Sequence, residues 1–134
     1  PKIAPVVIIA VVYEGQLLMT HYADRSIKPF ILIAGFVEIG ESLEEAARRE
    51  VMEEVGLRIK DLQYFESQPW GLSDSLATGF FATVEYKAPI ILEHKELADA
   101  QWFTPQDLPH ELDNGSLTAA MIEAFRNRMY EPKI

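Results

Sequence analysis

Three glutamates, Glu50, Glu53 and Glu54, lie three and four residues apart in segment 49–57, which reads REVMEEVGL. Like charges at these spacings on a helix repel one another by a few tenths of a kcal/mol per pair. Carboxylates held close together resist ionisation unless a cation compensates them. Mg²⁺ and Mn²⁺ prefer oxygen ligands and often share them with substrate phosphates. The spacing therefore indicates either a solvated helix face or a rigid set of carboxylates that binds divalent ions beside a phosphate substrate.

The residues around these glutamates predict the helix that would position them. Ser42 and Glu45 have the spacing of a capping box, which satisfies free backbone amides in the first turn. Gly56 stands where a left-handed residue ends a helix. Between these ends an apolar stripe recurs every four residues, at Leu43, Ala47 and Val51. At 100° per residue, all three glutamates fall on a face that flanks the stripe.

Apolar, β-branched runs predict strands on both sides of this helix. The predicted strands cover residues 6–12, 17–20, 30–34, 58–65, 79–86, 90–92 and 100–103. Residues 35–40 are expected to form a glycine-flanked loop, and residues 67–75 a polar loop that contains a tryptophan. A second helix is expected after Ser116, with one apolar face formed by Leu117, Ala120, Met121, Ala124 and Phe125. This order predicts an α/β fold in which a mixed sheet has a helix on each face.

Composition and charge narrow the classes of function. A chain of 134 residues suits one compact domain over residues 1–134, and it has neither an apolar run that would span a membrane nor a secretion signal. The absence of cysteine excludes disulfides, thiolate metal sites and cysteine nucleophiles, and it fits a cytoplasmic location. The net charge of −9 disfavours DNA as a partner. A polyanionic substrate would therefore need a local cation.

The glutamates belong to a longer pattern that begins at Gly35 and reads G-x5-E-x7-REVMEEVGL. Its fixed members are Gly35, Glu41, Arg49, Glu50, Val51, Glu53, Glu54, Gly56 and Leu57. This pattern resembles the Nudix box, and the chain is similar to the Nudix hydrolases. The resemblance implies an α/β/α sandwich with a mixed β-sheet between helices. It also implies an enzyme that uses Mg²⁺ or Mn²⁺ to split nucleoside diphosphates linked to another moiety.

A second segment resembles the NADH pyrophosphatases within that family, which carry S-Q-P-W-P-F-P-x-S where this chain has residues 67–75, SQPWGLSDS. The resemblance covers nearly the whole chain. It implies cleavage of NADH or NAD⁺ to nicotinamide mononucleotide and AMP, with NAD-capped RNA as a further substrate class and a homodimer as the assembly. The upstream zinc ribbon of that subgroup is expected to be absent.

The segment departs from the subgroup at Gly71-Leu72-Ser73, where an aromatic residue and two prolines are replaced. ADP-ribose, another nucleotide sugar or a dinucleoside polyphosphate is therefore the alternative substrate. A non-catalytic module that senses nucleotides is the alternative from another class of function.

The resemblance also implies roles for single residues. The implied metal-binding residues are Glu50, Glu53, Glu54, Glu96 and the backbone carbonyl of Ala34, with Glu50, Glu53 and Glu54 also catalytic and Glu53 either a ligand or the base. The implied substrate-binding residues are Phe36, which would stack on a base, and Gln68, Pro69, Trp70 and Ser75. The implied supporting residues are Gly35, Glu41, Arg49 and Gly56, with Arg49 expected to hold a carboxylate by a paired hydrogen bond.

Simpler interpretations stand beside these roles. Phe36 is alternatively a core residue at a strand end, Trp70 a residue that closes the sheet, and Glu96 a surface acid. The remaining polar candidates are expected to be ordinary surface residues: His21, His94, His110, Asp99, Asp107, Glu111 and Asp113.

Overall fold

The computed structural model describes residues 2–22, 30–70, 74–85, 97–108 and 116–128. In these ranges the strands are β1 (Ala4–Tyr13), β2 (Gln16–Tyr22), β3 (Ile33–Phe36), β4 (Ile59–Trp70), β5 (Ser75–Val84) and β6 (Leu97–Phe103). The helices are α1 (Leu43–Val55) and α2 (Leu117–Arg126), and Pro105–Asp107 form a short 3-10 turn. Neither α1 nor α2 is long and apolar enough to cross a bilayer. The predicted strand at residues 90–92 lies outside the described ranges.

The strands form one mixed sheet in the order β4-β5-β1-β2-β6. Strand β1 runs parallel to β5, whereas its pairings with β2 and β3 are antiparallel. The second edge of β1 is shared, because β3 pairs with residues 6–9 and β2 pairs with Val12 and Tyr13. The sheet therefore forks beside β1, and β3 forms a short branch of its own.

Side chains of β1 alternate between two apolar cores. Val7, Ile9 and Val11 belong to the core beneath α1. Ile8, Ala10 and Val12 belong to the core beneath α2. Since successive residues of a strand point to opposite faces, the two helices cover opposite faces of the sheet. The predicted sandwich of a mixed sheet between helices is confirmed.

The predicted ends of α1 are also confirmed. The Ser42 hydroxyl accepts from the amide of Glu45 at 3.0 Å, and the Glu45 carboxylate accepts from the amide of Ser42 at 2.8 Å. Gly56 ends the helix in the left-handed region, with φ of 71°. The stripe packs as expected, because Ala47 and Val51 are fully buried.

Two loop predictions were wrong in part. Residues 35 and 36 belong to β3, because the antiparallel pairing with β1 continues as far as Phe36 and Val6. Residues 67–70 continue β4, whose last pair joins Trp70 to Ser75. The polar composition misled the prediction, because in the described part of the chain β4 is an edge strand, where polar residues and a proline are tolerated.

Smaller differences concern strand ends and one helix face. Strand β5 begins at Ser75, earlier than predicted, and residue 86 lies outside the described ranges. Strand β6 begins at Leu97, earlier than the predicted residue 100. On α2 the buried alanines are Ala119 and Ala124, whereas the predicted Ala120 is only half-buried. The buried face of α2 differs from the predicted one because its buried residues follow both three- and four-residue spacings.

Candidate active site

Arg49 pairs with Glu41 through two hydrogen bonds. Its Nε donates to Oε2 of Glu41 at 2.6 Å, and its Nη2 donates to Oε1 at 2.9 Å. Such a charge-assisted, bidentate pair is among the strongest side-chain contacts in proteins. The bond from Arg49, helped by the Glu38 amide, holds the pKa of the Glu41 carboxyl below its ordinary value. The same bond raises the pKa of the Arg49 guanidinium.

The other side of the Arg49 guanidinium faces the helix carboxylates. Its Nη1 donates to Oε2 of Glu50 at 2.9 Å and to Oε1 of Glu53 at 3.1 Å. Its Nη2 also donates to the carbonyl of Phe36 at 3.0 Å. One guanidinium therefore joins the end of β3, the loop before α1 and two of the three glutamates.

The three glutamates differ in exposure. Glu50 is buried, with 8% of its surface exposed, whereas the side chain of Glu53 is 49% exposed. Glu54 is half-buried. The glutamates therefore grade from the edge of the core to solvent, rather than sharing one solvated face. The interpretation of a wholly solvated helix face is wrong for Glu50.

Gly35 explains how Glu50 reaches its buried position. A Cβ atom at position 35 would overlap all three atoms of the Glu50 carboxyl group. Any other residue would push this carboxylate away from β3. Gly35 therefore supports the site through close approach and needs no unusual backbone angle.

The carboxylates around Arg49 are ligands that fit a hard divalent cation. Oxygens of Glu50 and Glu53 both lie within 3.1 Å of one positively charged nitrogen, so these carboxylates already converge on a cation. Carboxylate oxygens are the ligands that Mg²⁺ and Mn²⁺ prefer. Within the described ranges, no group of three His, Asp or Glu side chains is arranged to hold a metal unaided. Glu96, the further implied ligand, lies outside those ranges, and Ala34 is an exposed residue of β3.

Two of the implied substrate-binding residues, Phe36 and Gln68, lie in a row on the other face of the sheet. Phe36, Val6, Ala77 and Gln68 form one row across β3, β1, β5 and β4. Phe36 is 59% exposed, so the interpretation of Phe36 as a core residue is wrong. The structure does not bring this row onto the α1 face, but Phe36 directly follows Gly35. The aromatic ring and the carboxylates therefore lie on two sides of the same strand end.

The remaining pocket candidates are at the β4–β5 connection. Ser75 is buried and pairs with Trp70, while Pro69 is exposed and pairs with Leu76. The structure describes the backbone of Trp70 and not its side chain, and residues 71–73 lie outside the described ranges. The stacking and pocket roles of these residues stay predictions.

Glu38 lies beside the site although no sequence pattern singled it out. Its amide donates to Oε1 of Glu41 at 3.0 Å, its carbonyl accepts from the amide of Glu41 at 3.0 Å, and its carboxylate lies 3.7 Å from Arg49 Nη1. The signal that would have found it is the spacing of two glutamates around Gly40, which has a φ of 85° suited to a tight turn.

Other polar candidates are not brought to this site. His21 is half-buried with its ring 5.0 Å from that of Phe30, so it is not an ordinary solvated histidine. Asp107 is exposed and accepts from the Thr104 hydroxyl at 2.9 Å, a local contact beside the 3-10 turn. The backbone of Asp99 lies in β6. The residues that lie outside the described ranges are His94, His110, Glu111 and Asp113.

The chain is similar in sequence and in fold to known proteins. A family model described as the NUDIX domain matches residues 2–125. The chain is 40% identical over 123 residues to a protein named NAD-capped RNA hydrolase NudC from Salmonella agona (strain SL483), which covers 92% of this chain and 48% of that protein. The chain thus spans about half the length of the curated relatives it matches.

Solved structures share the fold at low sequence identity. A NUDIX hydrolase from Nitrosomonas europaea superposes with a TM-score of 0.80 at 19% identity, covering 96% of this chain and 73% of that chain. The NUDIX domain of Shewanella oneidensis NrtR, solved with ADP ribose, superposes with a TM-score of 0.71 at 16% identity, covering 96% and 90%. These likenesses show the fold alone.

Proposed function

We propose, from the premise that this chain belongs to the NUDIX family of hydrolases, that it hydrolyses the diphosphate bond of NADH or NAD⁺ to nicotinamide mononucleotide and AMP. The observation that carries the proposal is the convergence of Glu50 and Glu53 on one cationic nitrogen beside the strand end that bears Phe36. Because the chain spans about half of its curated relatives, the proposal concerns the activity of this domain.

The carboxylates would hold Mg²⁺ or Mn²⁺, with Glu50 and Glu54 as ligands and Glu96 as a further one. The bound ion would supply neutralisation of the diphosphate charge and a more acidic water. Glu53 is the most exposed of the three helix glutamates, which supports it as the base that would accept a proton from the attacking water. Water adds its oxygen to one phosphorus, and the bridging oxygen leaves with the other phosphate.

The row that contains Phe36 and Gln68 would hold the rest of the dinucleotide. An exposed aromatic ring at a strand end offers a flat apolar face on which a base can stack. The half-buried Gln68 lies on the same side of the sheet, on β4, which is the third strand across from β3. The name of the 40% identical relatives, NAD-capped RNA hydrolase, supports a substrate that contains the NAD moiety.

ADP-ribose is the second candidate substrate. The departure from the subgroup at residues 71–73 favours it, and a protein of the same fold was solved with ADP ribose. A nucleotide-sensing module is the third candidate. The chain keeps Glu50, Glu53 and Glu54, and the first two lie in contact with the cationic Arg49, which speaks for catalysis instead. A cytoplasmic location and a homodimer stay predictions from composition and resemblance.

A substrate panel tests the proposal. Purified protein would be given NADH, NAD⁺, NAD-capped RNA, ADP-ribose and a dinucleoside polyphosphate, each with Mg²⁺ or Mn²⁺, and the products resolved by mass. We expect nicotinamide mononucleotide and AMP, and a run in ¹⁸O-labelled water would show which phosphorus receives the oxygen. Faster turnover of ADP-ribose would favour the second candidate, and tight nucleotide binding without any product would favour the third.

A further inference from the structure

Arg49 uses carboxylate oxygens that a divalent ion would also need. Its Nη1 lies 2.9 Å from Oε2 of Glu50 and 3.1 Å from Oε1 of Glu53. A metal ion on the same oxygens would lie close to the guanidinium, and two cations repel strongly at short range. The repulsion is stronger because Glu50 is buried and solvent screens the charges poorly. A guanidinium and a divalent ion therefore compete for the same pair of carboxylates.

Glu41 is a second ion-pair partner for the guanidinium. It accepts from Nε and Nη2, the two nitrogens of Arg49 that do not contact the helix carboxylates. Glu41 is itself held by the amide of Glu38, so its carboxylate is fixed in direction. Arg49 can thus give up Nη1 contacts to Glu50 and Glu53 and still keep a paired hydrogen bond.

We infer that Arg49 is a built-in counter-ion that sets the metal affinity of the site, and that Glu41 keeps the guanidinium paired while Glu50 and Glu53 turn from it to a bound metal. This inference rests on the proposed function, because it concerns the metal that the same carboxylates would hold. Arg49 and Glu41 then have opposite effects on metal affinity, although they form one ion pair. Removal of Arg49 strengthens metal binding. Removal of the Glu41 charge weakens metal binding, because Arg49 then pairs with Glu50 and Glu53 alone.

The neighbouring arginine provides a matched control. Arg48 donates from Nη1 to the carbonyl of Ile59 at 3.0 Å, at the start of β4. At 100° per residue it points about 140° around the helix axis from Glu53. Arg48→Met and Arg49→Met therefore remove the same charge from adjacent positions, but only the second removes it from the carboxylate pair.

The test measures the affinity of the full chain for Mn²⁺ alone, from the electron paramagnetic resonance signal of free Mn²⁺. We expect Arg49→Met to bind Mn²⁺ about three- to tenfold more tightly than the wild type, and Arg49→Lys, which keeps the charge, to stay within about twofold. Arg48→Met is expected to change the affinity by less than about twofold. Glu41→Gln is expected to bind about threefold more weakly.

Thermal unfolding supplies a second measurement that does not depend on turnover. In EDTA, Arg49→Met is expected to melt below the wild type, because Glu50 loses its counter-ion. Addition of Mn²⁺ is expected to raise the melting temperature of Arg49→Met by more than that of the wild type. If Arg49→Met does not fold in EDTA, Glu41→Gln still decides, because tighter binding by that variant would overturn the inference.

The outcomes separate the inference from the proposed function. If Arg49→Met and Glu41→Gln both weaken Mn²⁺ binding, Arg49 is a structural support and the inference is wrong while the metal site stands. If Arg48→Met strengthens binding as much as Arg49→Met, the effect is one of net charge, and the inference is again wrong. If the wild type binds no Mn²⁺, the metal part of the proposed function fails together with the inference.

Discussion

Each helix lays one long side chain over a glycine of the strand beneath it. On one face Glu50 of α1 lies against Gly35 of β3, and on the other Met121 of α2 lies against Gly79 of β5. A Cβ atom at position 79 would lie 2.7 Å from the sulfur of Met121, and one at position 35 would overlap the carboxyl group of Glu50. The two contacts have similar geometry, but one buries a thioether and the other a charge.

That difference separates the tasks of the two faces. A methionine fills irregular space and needs no partner, whereas a buried carboxylate is costly unless it is paired and hydrogen-bonded. Glu50 accordingly depends on Arg49. The other residues that α1 buries are alanines and valines, Ala46, Ala47, Val51 and Val55, whereas α2 buries the larger Leu117, Met121, Ile122 and Phe125 besides two alanines. Helix α2 therefore buries larger side chains, and the α1 face is the one to which we assign the chemistry.

The largest expected effect is the loss of activity on the α1 face. Glu53→Gln and Glu54→Gln should each lower kcat/KM for the preferred dinucleotide by about 10²- to 10⁴-fold, because a base or a metal ligand is removed while size and shape are kept. Steady-state hydrolysis with Mg²⁺ measures the loss, and urea midpoints check that folding is unchanged. Full activity in both variants would show that the helix carboxylates are not the reacting groups.

The matching perturbation of the α2 face should affect stability instead. Phe125 is 1% exposed, and Phe125→Ala should lower the free energy of unfolding by about 3–5 kcal/mol through lost burial and a cavity. Urea denaturation measures the change. Phe125→Leu is the milder control. If Phe125→Ala lowers kcat/KM of the folded fraction by as much as Glu53→Gln does, the assignment of stability to the α2 face and activity to the α1 face is wrong.

The α1 region could be predicted from sequence because its contacts are short in sequence. The cap joins Ser42 to Glu45, three residues apart, and Arg49 reaches Glu41 and Glu53, eight and four residues away. Such spacings repeat with the turn of a helix, so residue types alone indicate them. The spacing did not indicate that Glu50 would be buried, because that depends on the approach of Gly35 from another strand.

The β4–β5 region could not be predicted in the same way. Ser67 pairs with Thr78 and Trp70 with Ser75, so the strand is defined by a partner and not by its own composition. A register shift between Tyr64 and Glu66 further breaks the alternation that marks a strand in sequence. The fork of the sheet beside β1 also depends on which strands pair, and no local sequence pattern predicts it.

Substitution of the two glycines compares the faces directly. Gly35→Ala should displace the Glu50 carboxylate and lower kcat/KM by about 10²-fold, since catalytic groups tolerate little misplacement. Gly79→Ala should push aside only the flexible end of Met121, with a cost of about 1–3 kcal/mol in stability and kcat/KM nearly unchanged. Kinetics and urea midpoints of both variants measure the contrast. Equal losses of activity would mean that the two contacts serve the same purpose.

The smallest expected effect is a dependence of stability on acid at the α1 face. Hydrogen bonds from Arg49 hold the pKa of Glu41 below 4.5 in the folded protein, so the unfolded chain takes up this proton first as the pH falls. The pair therefore stabilises fold and loop above pH 4.5, and this contribution is lost as the pH falls through the lower, folded value. The stability difference between wild type and Glu41→Gln should thus shrink from about pH 7 to about pH 3.5.

Urea midpoints in EDTA would measure that difference without any contribution from bound metal. Ser42→Ala is the control, because it removes a hydrogen bond from the same loop and no ionisable group. Its cost of about 1 kcal/mol should be the same at both pH values. If Glu41→Gln behaves like Ser42→Ala, with a difference that does not change with pH, then Arg49 does not hold Glu41 ionised. The paired hydrogen bonds between Arg49 and Glu41 would then contribute no stability that depends on the charge of Glu41.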